Sequence, residues 1–193
     1  LDMWGYFGQA EQPDAFWGPR DVAVDGNGRV FITDTGNKRI VVFDADGNYL
    51  ASFGSAGLEL GQFDEPVGIA IDELGRIFVA DTWNQRVQVF QPDSTGKFYF
   101  AAREWEIAGW YGQSTDNKPY LALDDQANVY VGDPEGYRIL VVDAQGVFKY
   151  TWGAYSAGTD GFGLVSGLSA APDGTIWVCD AVNNRILRFT PQQ

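Results

Sequence analysis

One six-residue stretch recurs four times and fixes what the rest of the chain can be. It runs Asp34-Thr35-Gly36-Asn37-Lys38-Arg39, Asp81-Thr82-Trp83-Asn84-Gln85-Arg86, Asp133-Pro134-Glu135-Gly136-Tyr137-Arg138 and Asp180-Ala181-Val182-Asn183-Asn184-Arg185. Each copy places an Arg five positions after an Asp, and three of the four place an Asn two before the Arg. An apolar triplet precedes each copy, such as Val30-Phe31-Ile32, and an apolar run follows, such as Ile40-Val41-Val42-Phe43. The steps from Asp to Asp are 47, 52 and 47 residues. Short strands and glycine-marked turns at a period in the forties predict an all-β array of the β-propeller kind.

The units can be followed along the chain. Pro19–Asp25 and Pro66–Asp72 read as first strands, with Val22 and Val24, or Ile69 and Ile71, on one sheet face. Proline at a strand's first residue is where it is tolerated. A glycine turn leads to the second strand, the Asp-to-Arg turn to the third, and Asp44-Ala45-Asp46-Gly47 to a fourth. Phe16, Phe63 and Phe162 each stand 18 residues before their unit's Asp. The units are expected at about 19–54, 66–112, 119–153 and 167–193 plus 1–8, within one domain, 1–193, that is a piece of a longer protein. The fourth unit has three strands by this count. Met3–Phe7 resembles a fourth strand, with Gly8 matched to Gly54. Both termini then fall at the phase of Gly47, and Met3–Phe7 is expected to pair antiparallel with Ile186–Phe189. That pairing would close a propeller of four blades and cover an exposed strand edge. The alternative is an open arc, completed by another chain in a homo-oligomer.

The pattern Pro-x-Gly-[Ile/Val]-Ala-[Ile/Val]-Asp, then Gly-x-[Ile/Val]-[Phe/Tyr]-[Ile/Val]-x-Asp, then Asn-x-Arg-[Ile/Val], resembles the NHL repeat. Residues 66–90 carry it almost throughout, at Pro66, Gly68, Ile69, Ala70, Ile71, Asp72, Gly75, Ile77, Phe78, Val79, Asp81, Asn84, Arg86 and Val87. The resemblance implies a propeller of NHL-type blades, although that family is typically six-bladed and four units are present here. It says little about function. NHL propellers include RNA binders, protein-interaction platforms, extracytoplasmic sensor domains and a few enzymes, and they are related in fold to streptogramin lyases and calcium-dependent lactonases. Family usage alone suggests a bacterial, extracytoplasmic or secreted domain.

Charge and composition narrow the chemistry. Thirteen basic residues against 26 acidic ones leave a net charge of −13. Such a surface repels nucleic-acid phosphates and attracts basic partners, so no nucleic-acid binding is expected. No apolar run is long enough for a membrane-spanning helix, and the chain opens without a charged-then-apolar leader. There is no histidine, which removes the commonest general base and metal ligand. The single cysteine, Cys179, sits where the other units have Thr33, Ala80 and Gly132, and it is expected in a small buried slot. Asp25-Gly26-Asn27-Gly28 and Asp44-Ala45-Asp46-Gly47-Asn48 read as hairpin turns, since neither continues to the glutamate that an EF-hand calcium loop requires. No catalytic residue, metal or cofactor is assigned.

Two sets of residues remain. The pairs Asp34/Arg39, Asp81/Arg86, Asp133/Arg138 and Asp180/Arg185 occur in every unit, whereas a catalytic group would occur once. They are expected to brace the turns by charge-assisted hydrogen bonds. The loops entering the first strands and the turns between second and third strands should lie on one face. Trp17, Glu59, Asp64, Glu65, Trp83, Asp116, Tyr120, Tyr155 and Asp160 fall there and make it acidic and aromatic. A surface of this kind suits a protein, a basic peptide or a sugar. The expected function is therefore non-enzymatic binding or scaffolding. The alternative is a glycosidase-like hydrolase using two of the loop carboxylates.

Overall fold

The computed structural model describes residues 3–107, 110 and 118–191. The fold is all-β, a β-propeller type of four small antiparallel sheets, here called blades 1 to 4. The chain divides into two compact units, Leu1–Glu104 and Trp105–Gln193. Among the described residues no helix is long and apolar enough to cross a membrane.

In the first unit, β1 (Tyr6–Phe7) and β2 (Ala15–Phe16) form a short parallel pair. Blade 1 follows as β3 (Pro19–Val24), β4 (Val30–Asp34), β5 (Arg39–Phe43) and β6 (Tyr49–Phe53), hydrogen-bonded in that order. Blade 2 is β7 (Pro66–Ile71), β8 (Ile77–Asp81), β9 (Arg86–Pro92) and β10 (Tyr99–Glu106). In the second unit, blade 3 is β11 (Leu121–Leu123), β12 (Val129–Asp133), β13 (Arg138–Val142) and β14 (Phe148–Trp152). Blade 4 is β15 (Val165–Ala170), β16 (Ile176–Asp180) and β17 (Arg185–Phe189), three strands among the described residues.

The period-2 alternation that marks these strands puts, within each unit, a face of one blade against the other. Phe31, Ile40 and Val42 of blade 1 are buried against Ile69, Ile77 and Val79 of blade 2. Tyr130, Ile139 and Val141 of blade 3 meet Val165, Ile176 and Val178 of blade 4 in the same way. An aromatic set repeats beside these contacts. Phe53, Phe63 and Phe90 group in the first unit, with centroids 4.9 Å (Phe53–Phe90) and 5.4 Å (Phe63–Phe90) apart. Trp152, Phe162 and Phe189 do the same in the second, at 5.5 and 5.8 Å. Phe16 and Trp4 stand at 6.1 and 5.9 Å from Phe43. Each set includes a glycine at positive φ lying flat on the loop phenylalanine: Gly5 on Phe16, Gly54 on Phe63 and Gly153 on Phe162. A Cβ at any of the three would come within 2.4 Å of that ring, so only glycine lets the chain pass.

This repeat of contacts corrects the expected register at the N-terminus. Gly5, not Gly8, is the counterpart of Gly54 and Gly153, and Trp4 is the counterpart of Phe53 and Trp152. The parallel bridges agree, since Phe7↔Phe16 matches Ala56↔Phe63 and Tyr155↔Phe162. The loop from Gly5 to Phe16 is two residues longer than its counterparts, which is why a match by aromatic-glycine pattern slips by one step of three. The expected partner of Met3–Phe7 is corrected as well. Tyr6–Phe7 pairs in parallel with Ala15–Phe16, and β17 pairs with β16 alone among the described residues. Cys179 is also not in a buried slot. Its counterparts Thr33 and Ala80 are fully buried, but Cys179 is exposed.

Candidate binding surface

The repeated Asp and Arg form more than a turn brace. In each repeat the Arg Nε donates to the Asp Oδ2 at 2.8 Å, for Asp34/Arg39, Asp81/Arg86, Asp133/Arg138 and Asp180/Arg185. The Arg head then reaches back to the loop that enters the blade. Arg86 donates to the carbonyls of Leu58, Glu59 and Gln62, and Arg185 to those of Ala157, Gly158 and Gly161. Arg39 donates to the carbonyls of Gln12 and Ala15. The Asn two before the Arg adds a bond from Asn84 to the Gly57 carbonyl and from Asn183 to that of Ser156. The other Asp oxygen accepts the backbone N–H at the loop's end: Trp17 on Asp34, Asp64 on Asp81, Gly163 on Asp180. The motif thus ties an irregular loop, backbone to side chain, onto a rigid strand turn. Blade 3 departs from it. Gly136 stands in the place of the Asn, and its N–H bonds Asp133 directly.

Environment divides these carboxylates. Burial pushes Asp81 up, beyond what the bonds from Asn84, Arg86 and the Asp64 N–H pull down. Burial pushes Asp180 up too, but the bonds from Asn183, the Leu164 N–H, Arg185 and the Gly163 N–H outweigh it and hold the group below the usual carboxylate range. Outside these hubs, burial raises Asp21, whose carboxylate accepts the Ile69 N–H across the first unit's blade contact.

In the first unit the tethered loops assemble part of the expected surface. Trp83 is exposed at its turn tip, and its N–H bonds the Asp64 carbonyl. Lys38 lies across this place, its Nζ 2.9 Å from Asp64 and 5.3 Å from the centre of the Trp83 ring. The site therefore holds a cation between a carboxylate and an aromatic face. Trp17 is half-exposed and rests on Gly36, where a Cβ would stand 2.6 Å from its ring. Glu59 is exposed and its carbonyl serves the Arg86 clamp. Glu65 is buried, at φ +68°, and does not belong to an exposed surface.

In the second unit the corresponding place is open. A pocket of about 430 Å³ is lined by Pro134, Glu135, Tyr137, Tyr155, Leu164 and Val182, with Gly163 at its side. Tyr137 and Tyr155 meet edge to face at 4.9 Å. Tyr137 holds the repeat position of Lys38, and Val182 that of Trp83. Glu135 is the one carboxylate among these lining residues. Tyr120 gives its carbonyl to the Gly132 N–H, and Asp160 turns back to accept from Ser156 Oγ, so neither joins the pocket. Asp116 lies outside the described residues. Among the described residues no group of three or more potential ligating side chains is placed to hold a metal ion.

Residues 16–43 and 63–90 match the family model described as NHL repeat. Those two stretches are the Phe-to-Phe spans of blades 1 and 2. These two stretches are NHL repeats, carried in a β-propeller fold. No curated protein matches it in sequence. Among solved structures, this propeller is similar to a streptogramin B lyase, at 16% identity and a TM-score of 0.64, covering 93% of this chain and 53% of the lyase. It is similar to a chain of a nidogen/laminin complex, at 20% identity and a TM-score of 0.63, with 89% and 60% covered. A third likeness is to a virginiamycin B lyase from Staphylococcus aureus, made catalytically inactive by replacing a histidine with alanine, at 12% identity and a TM-score of 0.60, with 95% and 57% covered. These likenesses are of fold, and the propeller spans between half and three-fifths of each of those chains. Tyr137, Glu135, Leu164 and Lys38 were not singled out from sequence. The available signal was Tyr137 and Lys38 occupying one position of the repeat, the residue before each Arg, at φ +54° and +56°.

Proposed function

We propose that this propeller is a binding module whose second-unit pocket takes a basic side chain of a protein or peptide partner. The observation that carries the reading is the contrast between the two units. At one repeat position the first unit supplies its own lysine to an aromatic ring and a carboxylate, while the second leaves two tyrosines and Glu135 open. The tyrosine rings offer a face to a cation or to the stem that carries it, and Glu135 offers the counter-charge. The net charge of −13 draws basic partners to this surface and repels nucleic acids. A lyase or glycosidase reading has less support. The chain has no histidine, the residue whose replacement inactivates the staphylococcal lyase, and one carboxylate in the pocket does not make the pair that glycoside hydrolysis uses.

The test is a peptide array graded in charge, read beside an oligosaccharide panel. Lysine- or arginine-bearing peptides should be retained. Tyr155→Ala and Glu135→Lys should each abolish most of that retention, by about thirtyfold for a central aromatic anchor, with the melting temperature unchanged. Retention of sugars alone, or peptide binding indifferent to Glu135→Lys, would overturn the assignment.

A further inference from the structure

The tyrosine pocket differs from its first-unit counterpart at the positions that decide which cation fits. Shared backbone contacts fix the correspondence. Asp64 and Gly163 both send their N–H to the repeat aspartate, Asp81 or Asp180. Thr82 and Ala181 both send theirs to the next carbonyl along, that of Glu65 or Leu164. Ala56 and Tyr155 both bridge to the loop phenylalanine. Asp64 therefore corresponds to Gly163, Glu65 to Leu164, Ala56 to Tyr155, Trp83 to Val182 and Lys38 to Tyr137.

In the first unit an ammonium is held by direct ion contact. Lys38 Nζ stands 2.9 Å from Asp64, and the Trp83 ring is a second wall at 5.3 Å. An ammonium is a compact, strongly hydrated point charge, so it leaves water readily only for a contact of this kind. The second unit withholds it. A Cβ at Gly163 would stand 2.9 Å from that of Val182, so no carboxylate fits where Asp64 stands in the first unit. Leu164 and Val182 leave that side of the pocket apolar. The aromatic surface lies instead on the blade 3 turn and the loop, where Tyr137 and Tyr155 meet edge to face at 4.9 Å. The one carboxylate, Glu135, is exposed on the same turn as Tyr137.

A guanidinium suits these walls better than an ammonium does. It is planar and weakly hydrated, stacks on aromatic rings, and meets a carboxylate through two parallel N–H donors. We infer that the pocket selects arginine over lysine, with the guanidinium laid on the tyrosine rings and its fork turned to Glu135. The inference rests on the reading of this pocket as a site for a basic side chain, and adds which one it takes. Tyr137 sets the choice. It stands where the first unit has Lys38, and it offers a ring in place of a cation that would repel the ligand.

Glycine pentapeptides capped at both ends, with arginine, lysine or citrulline at the centre, test this when titrated into the chain and followed by NMR. Arginine should bind about tenfold tighter than lysine, the scale of one desolvated contact between a cation and a ring. Citrulline keeps the planar shape without the charge and should bind more weakly than arginine. Tyr137→Asn is compatible with the fold, because Asn184 holds the same left-handed position of the repeat at φ +52°. It should weaken arginine binding and bring arginine and lysine to equal affinity. Glu135→Gln should weaken both. Lysine binding as tightly as arginine, or an arginine preference that survives Tyr137→Asn, would overturn this inference and leave the binding module standing. Citrulline binding as tightly as arginine, or no binding of any of the three, would overturn both.

Discussion

Arg86 and Arg138 occupy one position of the repeat, yet their loss should differ in cost. Arg86 is buried against a fully buried Asp81 and serves three loop carbonyls and Glu104. The Arg138 side chain is 36% exposed. Breaking a buried pair strands an uncompensated charge and costs about 3–5 kcal/mol. Asp133 is buried too, but it keeps the Gly136 N–H, and water reaches its half-exposed arginine. Chemical denaturation should therefore show Arg86→Ala losing more than Arg138→Ala, and equal losses would refute the grip on the loop carbonyls as a source of stability. The pairing of Asp with Arg could be read from spacing alone. That the same Arg holds three carbonyls could not, because a backbone acceptor leaves no mark in a sequence. Nor could the burial of Glu65, which depends on a left-handed backbone at a non-glycine residue.

Blade-to-blade packing passes through the glycines at the ends of the fourth strands. Gly54 combines φ +93° with a Cβ position 2.4 Å from the Phe63 ring, while Gly174, at φ +78°, has nothing within 4 Å. Gly174→Ala should cost only the backbone term, about 1–2 kcal/mol. Gly54→Ala adds displacement of a packed ring, about 1–3 kcal/mol more. Thermal melts of the two variants measure the difference, and similar values would mean the ring can yield. Strand positions were legible because apolar residues alternate between glycine turns at a fixed period. The N-terminal match was not, because Trp4-Gly5 and Phe7-Gly8 fit the aromatic-glycine pattern equally well. The contact of Gly5 on Phe16 and the parallel Phe7↔Phe16 bridge decide between them. Cys179 illustrates the same limit, since its neighbours in sequence match those of the buried Thr33 and Ala80 and nothing in them marks it as exposed.

Across the molecule, pH dependence should carry two signs. Asp180 and the turn residues Asp44, Asp93 and Asp173 titrate below their ordinary range, Asp44 through Asn48, Asp93 through Thr95 and Asp173 through Thr175. Their contribution is present above about pH 4 and is lost as pH falls further. Asp81 and Asp21 are raised, so they oppose stability once ionised, and that opposition is relieved on acidification. Between pH 6 and pH 3 the melting temperature should fall, less steeply in Asp180→Asn and more steeply in Asp81→Asn. Slopes that move together would contradict the division. The Arg clamps carry a different consequence. They grip loop carbonyls at Leu58, Glu59 and Gln62, and at Ala157, Gly158 and Gly161, which every amino acid possesses. Side chains such as Glu59 and Asp160 can then be randomised without loosening the anchorage, which makes the loops between Ala56 and Phe63 and between Tyr155 and Phe162 natural places to install new recognition by directed evolution.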